Sequence, residues 1–224
     1  MISQDSLADR VMHALTDEVL SGRLVPGARV DLAFYASKWN VSITPVRDAV
    51  KQMERSGFIR IRARRGVFVT ELTAKEVKDI FDVRIALESE AMWLATPHIP
   101  KARIEKALRL YVAAGETADE KERNRLLPRI DQLVHIIAAE YCDNPRLQQL
   151  LEGIGDMVRW CQTTIIQNLR EPFVTTLPEH IAICRAVLDS DPAAASNAMR
   201  IHLGNTSSRI QDHLNHGSHA RSTG

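Results

Sequence analysis

The segment from Asn40 to Glu71 constrains the fold most, because three local patterns follow one another there. Ser42 and Thr44 are candidate capping residues and Pro45 suits the first turn of a helix, so a short helix is predicted to begin here. Ile59–Arg62 then alternates apolar and basic residues, which is typical of a strand. An Arg-Arg-Gly tip and a Val-Phe-Val run follow. The segment therefore predicts a turn, a short helix and a two-stranded hairpin.

Positive charge is concentrated in this same segment. Residues 38–65 contain 8 Lys or Arg residues against 2 acidic ones. On the predicted helix, Arg47 and Lys51 are four residues apart, and Arg64 and Arg65 form the hairpin tip. A cationic helix beside a cationic hairpin suits the phosphate backbone of duplex DNA. The rest of the chain is different, since residues 73–224 carry 18 basic and 20 acidic side chains.

This region resembles the winged helix-turn-helix of the GntR family of bacterial regulators. The resemblance is carried by three motifs at fixed offsets, Leu20–Gly27, Val41–Val50 and Glu54–Phe58. It covers about residues 6–72 and implies that Ser42, Thr44 and Arg47 contact DNA. It also implies that Gly66 lets the tip of the wing approach the minor groove.

Two positions depart from the pattern of that family. Ile43 stands where the family usually has Arg, and Ala33 stands where some members carry an Arg that contacts DNA. The departures put the usual operator sequence in question rather than DNA binding itself.

The remainder of the chain has the periodicity of helices only. The helices are predicted over 75–95, 101–117, 121–142, 146–169, 176–190 and 192–214. The breaks between them contain Pro or Gly, or a turn-forming Asn or Asp. This layout predicts an all-α six-helix bundle. It resembles the FCD ligand-binding domain of the FadR subfamily, in its six-helix, VanR-like branch.

The predicted fold class is therefore mainly α, with a winged helix-turn-helix followed by an FCD-like bundle. The predicted domains are a DNA-binding domain over 1–72 and an all-helical domain over 73–214 for metal binding, effector binding and dimerisation. The polar residues 215–224 are predicted to form a disordered tail.

Four polar residues stand out in the helical domain. Asp131 and His135 are four residues apart on one predicted helix, so they share a face, while His180 and His202 lie on later helices. Taken singly, each histidine is more often a hydrogen-bonded structural residue than a metal ligand. The order Asp-x3-His, His, His resembles the metal-binding FCD proteins, and this implies that all four are ligands. Three imidazoles and a carboxylate suit a divalent ion such as zinc, nickel or manganese without choosing among them.

Arg84 interrupts an apolar stripe on the first helix of this domain, and Glu88 follows one turn later. A buried charge is costly unless it is paired. The two residues form an internal salt bridge, or Arg84 reaches a cavity and binds the carboxylate of an effector. The resemblance to the FCD domain favours the effector, and Asn205 is a weaker candidate for the same pocket.

These features predict a metabolite-responsive transcription regulator that is not an enzyme. It would bind a two-fold symmetric DNA operator as a homodimer, and its helical domain would bind a divalent metal and a small organic acid. The alternatives are a metallohydrolase that uses the Asp/His site, or a regulator whose metal is purely structural. No signal peptide and no apolar run of about 18 residues is present, so a cytoplasmic protein without a membrane span is expected.

Overall fold

The computed structural model describes residues 6–164 and 174–221. The elements of the N-terminal region are α1 (Leu7–Leu20), β1 (Arg29–Val30), α2 (Leu32–Lys38), α3 (Ile43–Arg55), β2 (Ile59–Arg62) and β3 (Gly66–Val69). Those that follow are α4 (Ala74–Ala95), α5 (Lys101–Glu116), α6 (Glu120–Ile130), α7 (Leu133–Tyr141), α8 (Pro145–Thr164), a 3-10 turn (Val174–Thr176), α9 (Leu177–Leu188) and α10 (Pro192–Arg221). The mainly α class with an N-terminal winged helix-turn-helix is confirmed.

The chain divides into two compact units. Of the described residues, the first unit holds 6–72 together with 156–164, and the second holds 73–155 and 174–221. The first unit therefore includes the C-terminal part of α8 in addition to the predicted winged helix-turn-helix.

In the first unit, three helices pack beside a small antiparallel sheet with strand order β1-β3-β2. The register pairs Ile59 with Val69 and Arg62 with Gly66, so Arg62 stands beside the turn at the tip of the hairpin. Apolar side chains from α1, α3 and the sheet fill the core, among them Leu15, Val46, Val50, Met53 and Ile59. Trp160 joins this core, with its ring centroid 5.4 Å from that of Phe58.

The second unit is formed by helices alone within the part of the chain that is described. Helix α4 packs against α7 and α10, while α9 packs against α5 and α10. The interior is apolar and tightly filled by side chains such as Phe81, Met92, Ile104, Ile137, Ile183, Met199 and Leu203. This arrangement directs side chains from α4, α7, α9 and α10 toward one interior region.

The helix predicted over 121–142 is divided into α6 and α7, and Tyr111 on α5 explains the division. The Tyr111 hydroxyl donates to the carbonyl of Ile130 at 2.9 Å and accepts from the backbone N–H of Val134 at 3.3 Å. In a continuous α-helix these two backbone groups would bond to each other. A side chain inserted into this ladder is a known cause of helix breaks. Asp131 consequently caps the C-terminus of α6 instead of lying within one helix with His135.

Of two other predicted helix ends, one differs from the structure and one lies outside the described residues. Helix α10 continues to Arg221, past the end predicted at 214 and into the tail that was predicted to be disordered. The end predicted at 169 for α8 lies outside the described residues, which follow that helix to Thr164.

Candidate nucleic-acid interface and metal centre

Helix α3 presents its cations to solvent. Ser42 occupies the N-cap position but its side chain makes no capping hydrogen bond, and it is exposed together with Thr44 and Arg47. Lys51 is also exposed, and it bonds to Asp48 at 3.3 Å. Val46, Ala49, Val50 and Met53 form the opposite, buried face of the helix. The amphipathic pattern thus fixes which side chains α3 offers to a ligand.

The wing carries a second group of exposed cations. Arg64 and Arg65 stand at its tip, where Arg64 has a φ of 62° and Gly66 a φ of 114°. A Cβ added at Gly66 would lie 3.1 Å from Nε of Arg29. Glycine is required here both for the left-handed backbone and for the close approach of Arg29.

A groove of about 420 Å³ lies between these elements within the first unit. Its lining includes Arg47 from α3, Arg29 from β1 and Gly66 from the wing. Ala33 and Ile43, the two positions that depart from the family pattern, line the same groove. Arg29 was missed by the sequence reasoning, because only the antiparallel pairing of β1 with β3 brings it beside the wing.

In the second unit, three histidines from three helices meet. His135 on α7, His180 on α9 and His202 on α10 are all buried, and one nitrogen from each lies within 4.8 Å of the others. The ring centroids of His180 and His202 are 4.4 Å apart, and those of His135 and His202 are 5.2 Å apart. Asp131 is adjacent, with Oδ1 3.9 Å from Nε2 of His180. The structure therefore brings the four predicted ligands together, while their binding of a metal stays a prediction.

A buried glutamate, Glu88, and a partly buried one, Glu179, hold two of these rings. Oε2 of Glu88 is hydrogen-bonded to Nδ1 of His135, and its Oε1 accepts from Nε of Arg84 at 2.7 Å. Burial opposes ionisation of Glu88, but the Arg84 guanidinium and the contact with His135 outweigh it and hold the pKa of Glu88 well below its usual range. Of the two alternatives for Arg84, the structure contains the internal pair with Glu88.

Glu179 has the same relation to the third ring. Its Oε2 accepts from Nδ1 of His202 at 2.8 Å. The Arg209 guanidinium binds both of its oxygens, at 3.0 and 3.1 Å, and Nδ2 of Asn205 donates to Oε1 at 2.8 Å. Burial opposes ionisation, but these hydrogen bonds lower the pKa of Glu179 to about 2. Asn205, which was predicted to contact an effector, is therefore hydrogen-bonded to Glu179 in the structure.

His180 lacks an equivalent partner. Among the described residues, neither of its ring nitrogens has a hydrogen-bond partner, although only 1% of the residue is exposed. Its ring stacks on Tyr111, with centroids 4.7 Å apart and an interplanar angle of 13°. Burial, reinforced by nearby positive charge, holds the pKa of His180 far below its usual range, so the ring is neutral. A neutral buried imidazole without hydrogen bonds is costly, and coordination of a metal ion would compensate for the loss.

The donor set therefore fits a divalent metal ion. Three imidazole nitrogens and a neighbouring carboxylate oxygen match the ligand chemistry of zinc and related ions. Glu88, Glu179, Tyr111 and Arg209 were not among the predicted site residues. The pairing of Arg84 with Glu88 was accessible from their spacing of four, but the histidine contacts depend on packing between helices.

The chain matches two known protein families. The FCD domain matches residues 79–205, and the bacterial regulatory proteins of the gntR family match residues 7–69. The chain is 34% identical to the gluconate operon transcriptional repressor of Bacillus subtilis, over 94% of this chain and 88% of that protein. It is 26% identical to the HTH-type transcriptional regulator YdhC of the same species, over 92% of this chain and 91% of that protein.

Solved structures show the same fold. A GntR transcriptional regulator from Rhodococcus sp. RHA1 superposes with a TM-score of 0.70 at 20% identity, covering 92% of this chain and 97% of that one. McbR/YncC of E. coli gives a TM-score of 0.69 at 18% identity, covering 95% and 99%.

Proposed function

The chain belongs to the gntR family of bacterial transcriptional regulators that carry an FCD domain, and we propose that a divalent metal ion and a small organic acid in its helical unit control operator binding. The relatives are transcription regulators and both matching domains are domains of such regulators, so the metallohydrolase alternative is set aside. The observation that carries the metal and effector proposal is the buried cluster of His135, His180 and His202, in which His180 lacks hydrogen-bond partners among the described residues.

Recognition of DNA is assigned to residues of α3 and the wing in the first unit, most of them exposed cations. Ser42, Thr44, Arg47 and Lys51 would face the duplex from α3, and Arg64, Arg65 and Gly66 from the wing. Arg29 joins this set because it lines the groove with Arg47 and lies beside Gly66. Arginine side chains supply both phosphate contacts and bidentate contacts to guanine.

Operator binding is proposed to involve a homodimer on a two-fold symmetric site. One recognition helix contacts only a few base pairs, and pairing two copies doubles the contacts. Light scattering of the free protein and of its complex with an operator fragment tests this, with a mass of two chains expected in both. A single chain per operator at micromolar concentration would overturn the proposal.

Metal binding is assigned to Asp131, His135, His180 and His202. A bound divalent ion would supply a positive charge that an organic acid can coordinate. Arg84 would bind the far end of that acid in a two-pronged hydrogen bond, while its Nε stays bonded to Glu88. Asn205, which donates to Glu179 through Nδ2, retains its amide oxygen as an acceptor for the effector.

No described helix combines the length and apolarity that a membrane crossing requires. We assign the regulator to the cytoplasm, where its operator DNA is located.

Fluorescence anisotropy of a labelled DNA fragment from upstream of the protein's own gene tests the control of operator binding. The protein is measured after chelation and after reloading with zinc, nickel or manganese, each with and without a panel of small organic acids. We expect one acid to change operator affinity about tenfold in the reloaded protein and to have little effect after chelation.

Two outcomes would contradict this function. If an acid acts equally on chelated and reloaded protein, the metal has no part in its binding. If metal is retained stoichiometrically but no acid changes operator affinity, the metal is structural. The double variant His135→Ala with His202→Ala is the control for incomplete chelation.

A further inference from the structure

Two series of hydrogen-bonded polar groups converge on the histidine cluster, the first buried and the second partly buried. In one, Arg84 bonds to Glu88 and Glu88 bonds to His135. In the other, Arg209 bonds to Glu179, which in turn bonds to His202. We propose that Glu88 and Glu179 are positioning residues that fix the tautomer and the orientation of His135 and His202, so that each ring directs Nε2 to the metal ion. This inference rests on the metal site of the proposed function.

The first series of hydrogen bonds determines which nitrogen of His135 carries the proton. Glu88 is 6% exposed and faces the permanently charged guanidinium of Arg84, so its carboxylate is ionised and can only accept hydrogen bonds. Nδ1 of His135 must therefore be the donor in its bond to Glu88. In the neutral ring, the remaining lone pair is then on Nε2. Only this nitrogen is available to a metal ion.

The second series of hydrogen bonds gives the same result for His202 with different residues. Both oxygens of Glu179 accept from Arg209, and one also accepts from His202. A carboxylate held by a two-pronged arginine contact has a fixed plane, and it therefore fixes the ring that donates to it. Asn205 adds a further donor to the same carboxylate. Nε2 of His202 is again the nitrogen that carries a lone pair.

His180 provides an internal contrast. Within 6–164 and 174–221 no glutamate is hydrogen-bonded to this ring, which stacks on Tyr111. A carboxylate that accepts from the second nitrogen of a metal-binding histidine orients the ring and makes it more basic. His135 and His202 are therefore each oriented by a glutamate, and His180 by an aromatic ring.

Competition with a chromogenic chelator measures the contribution of each glutamate to metal binding. The full-length protein and its Glu88→Gln and Glu179→Gln variants are titrated with Zn²⁺ and, separately, Ni²⁺. We expect each substitution to weaken metal affinity about 10–100-fold, which is the usual effect of removing such a partner. Glu105→Gln is the control, because Glu105 is half exposed and pairs only at 3.8 Å with Arg109. Circular dichroism checks that each variant is folded.

A second measurement requires neither a variant nor a metal. Nitrogen-15 NMR of the imidazoles in the metal-free protein reports which ring nitrogen carries the proton. We expect the Nδ1–H form for both His135 and His202. The Nε2–H form of either ring would overturn the inference for that residue, even if the glutamine variants fail to fold.

The outcomes separate this inference from the function on which it rests. If the wild-type protein binds neither ion, the proposed metal site fails, while the NMR measurement still decides the orientation of the rings. If the wild type binds metal and both glutamine variants bind within about twofold of it, the positioning roles are overturned and the metal site stands.

Discussion

The two units of the molecule place arginine in opposite environments. On the recognition helix, Arg47 is exposed and lines an open groove. In the helical unit, Arg84 is 3% exposed and bonds to a buried glutamate. An exposed cation keeps its charge available for an external anion such as a phosphate, whereas a buried cation must be matched by an internal carboxylate. Arg47 thus keeps its charge for an external ligand, whereas Arg84 shares its charge with Glu88.

The largest effect is expected from replacing two histidines of the buried cluster. His135→Ala combined with His202→Ala should abolish stoichiometric metal binding, because it removes two of the three clustered imidazoles. Metal analysis of the purified protein by mass spectrometry measures the loss. His98→Ala, which removes an exposed histidine of the same unit, should leave the metal content unchanged. Retention of metal by the double variant would refute both ligand roles.

Removing an exposed cation from the other unit should weaken DNA binding without unfolding the protein. Arg47→Ala should cost about 1–3 kcal/mol of operator affinity, the usual value of an arginine contact in a groove. Anisotropy titration at fixed salt measures the change. Arg109→Ala removes the same charge from an exposed site on α5, so it is the matched control. Equal affinities of Arg47→Ala and wild type would remove Arg47 from the interface.

A smaller effect is expected where Tyr111 separates α6 from α7. Tyr111→Phe keeps the ring that stacks on His180 but removes the hydroxyl that bridges Ile130 and Val134. Leaving these buried backbone groups without that partner should lower the free energy of unfolding by about 1–2 kcal/mol. Denaturant unfolding measures it, with Tyr141→Phe as the half-buried control. An unchanged stability would mean that the helix closes on itself and that the hydroxyl is not needed for the break.

The break at Tyr111 also shows what the sequence could and could not predict. The helix-turn-helix, the wing and the order of the helices follow from local periodicity, caps and breakers, and so they were predictable. The break between α6 and α7 was not, because a hydroxyl on α5 causes it from 19 residues away. For the same reason, His135 and its partner Glu88, which are 47 residues apart, could not be paired from spacing.

The histidine cluster was predictable in part. The order of Asp131, His135, His180 and His202 along the chain named the candidates, and the fold brings them together. No local pattern indicated Glu179, which lies next to His180 in the chain but bonds to His202 on another helix. Such contacts depend on how helices pack, and a pattern within one helix does not report them.

The smallest effect concerns two glycines, one in each unit. Replacement by alanine should change the free energy of unfolding in opposite directions at the two positions. Gly153 is exposed within α8, and a Cβ added there meets no atom within 4 Å. Gly153→Ala should therefore raise the free energy of unfolding by about 0.5–1 kcal/mol, because alanine loses less backbone entropy than glycine in a helix.

Gly57 has a φ of 82°, and a Cβ added there would lie 2.9 Å from Cε of Met157. Gly57→Ala should lower the free energy of unfolding by about 1 kcal/mol, since alanine tolerates that backbone conformation poorly. Urea unfolding of the two single variants beside the wild type tests the pair. Changes of the same sign would contradict the prediction, because the two glycines would then not differ in the backbone conformation that each position requires.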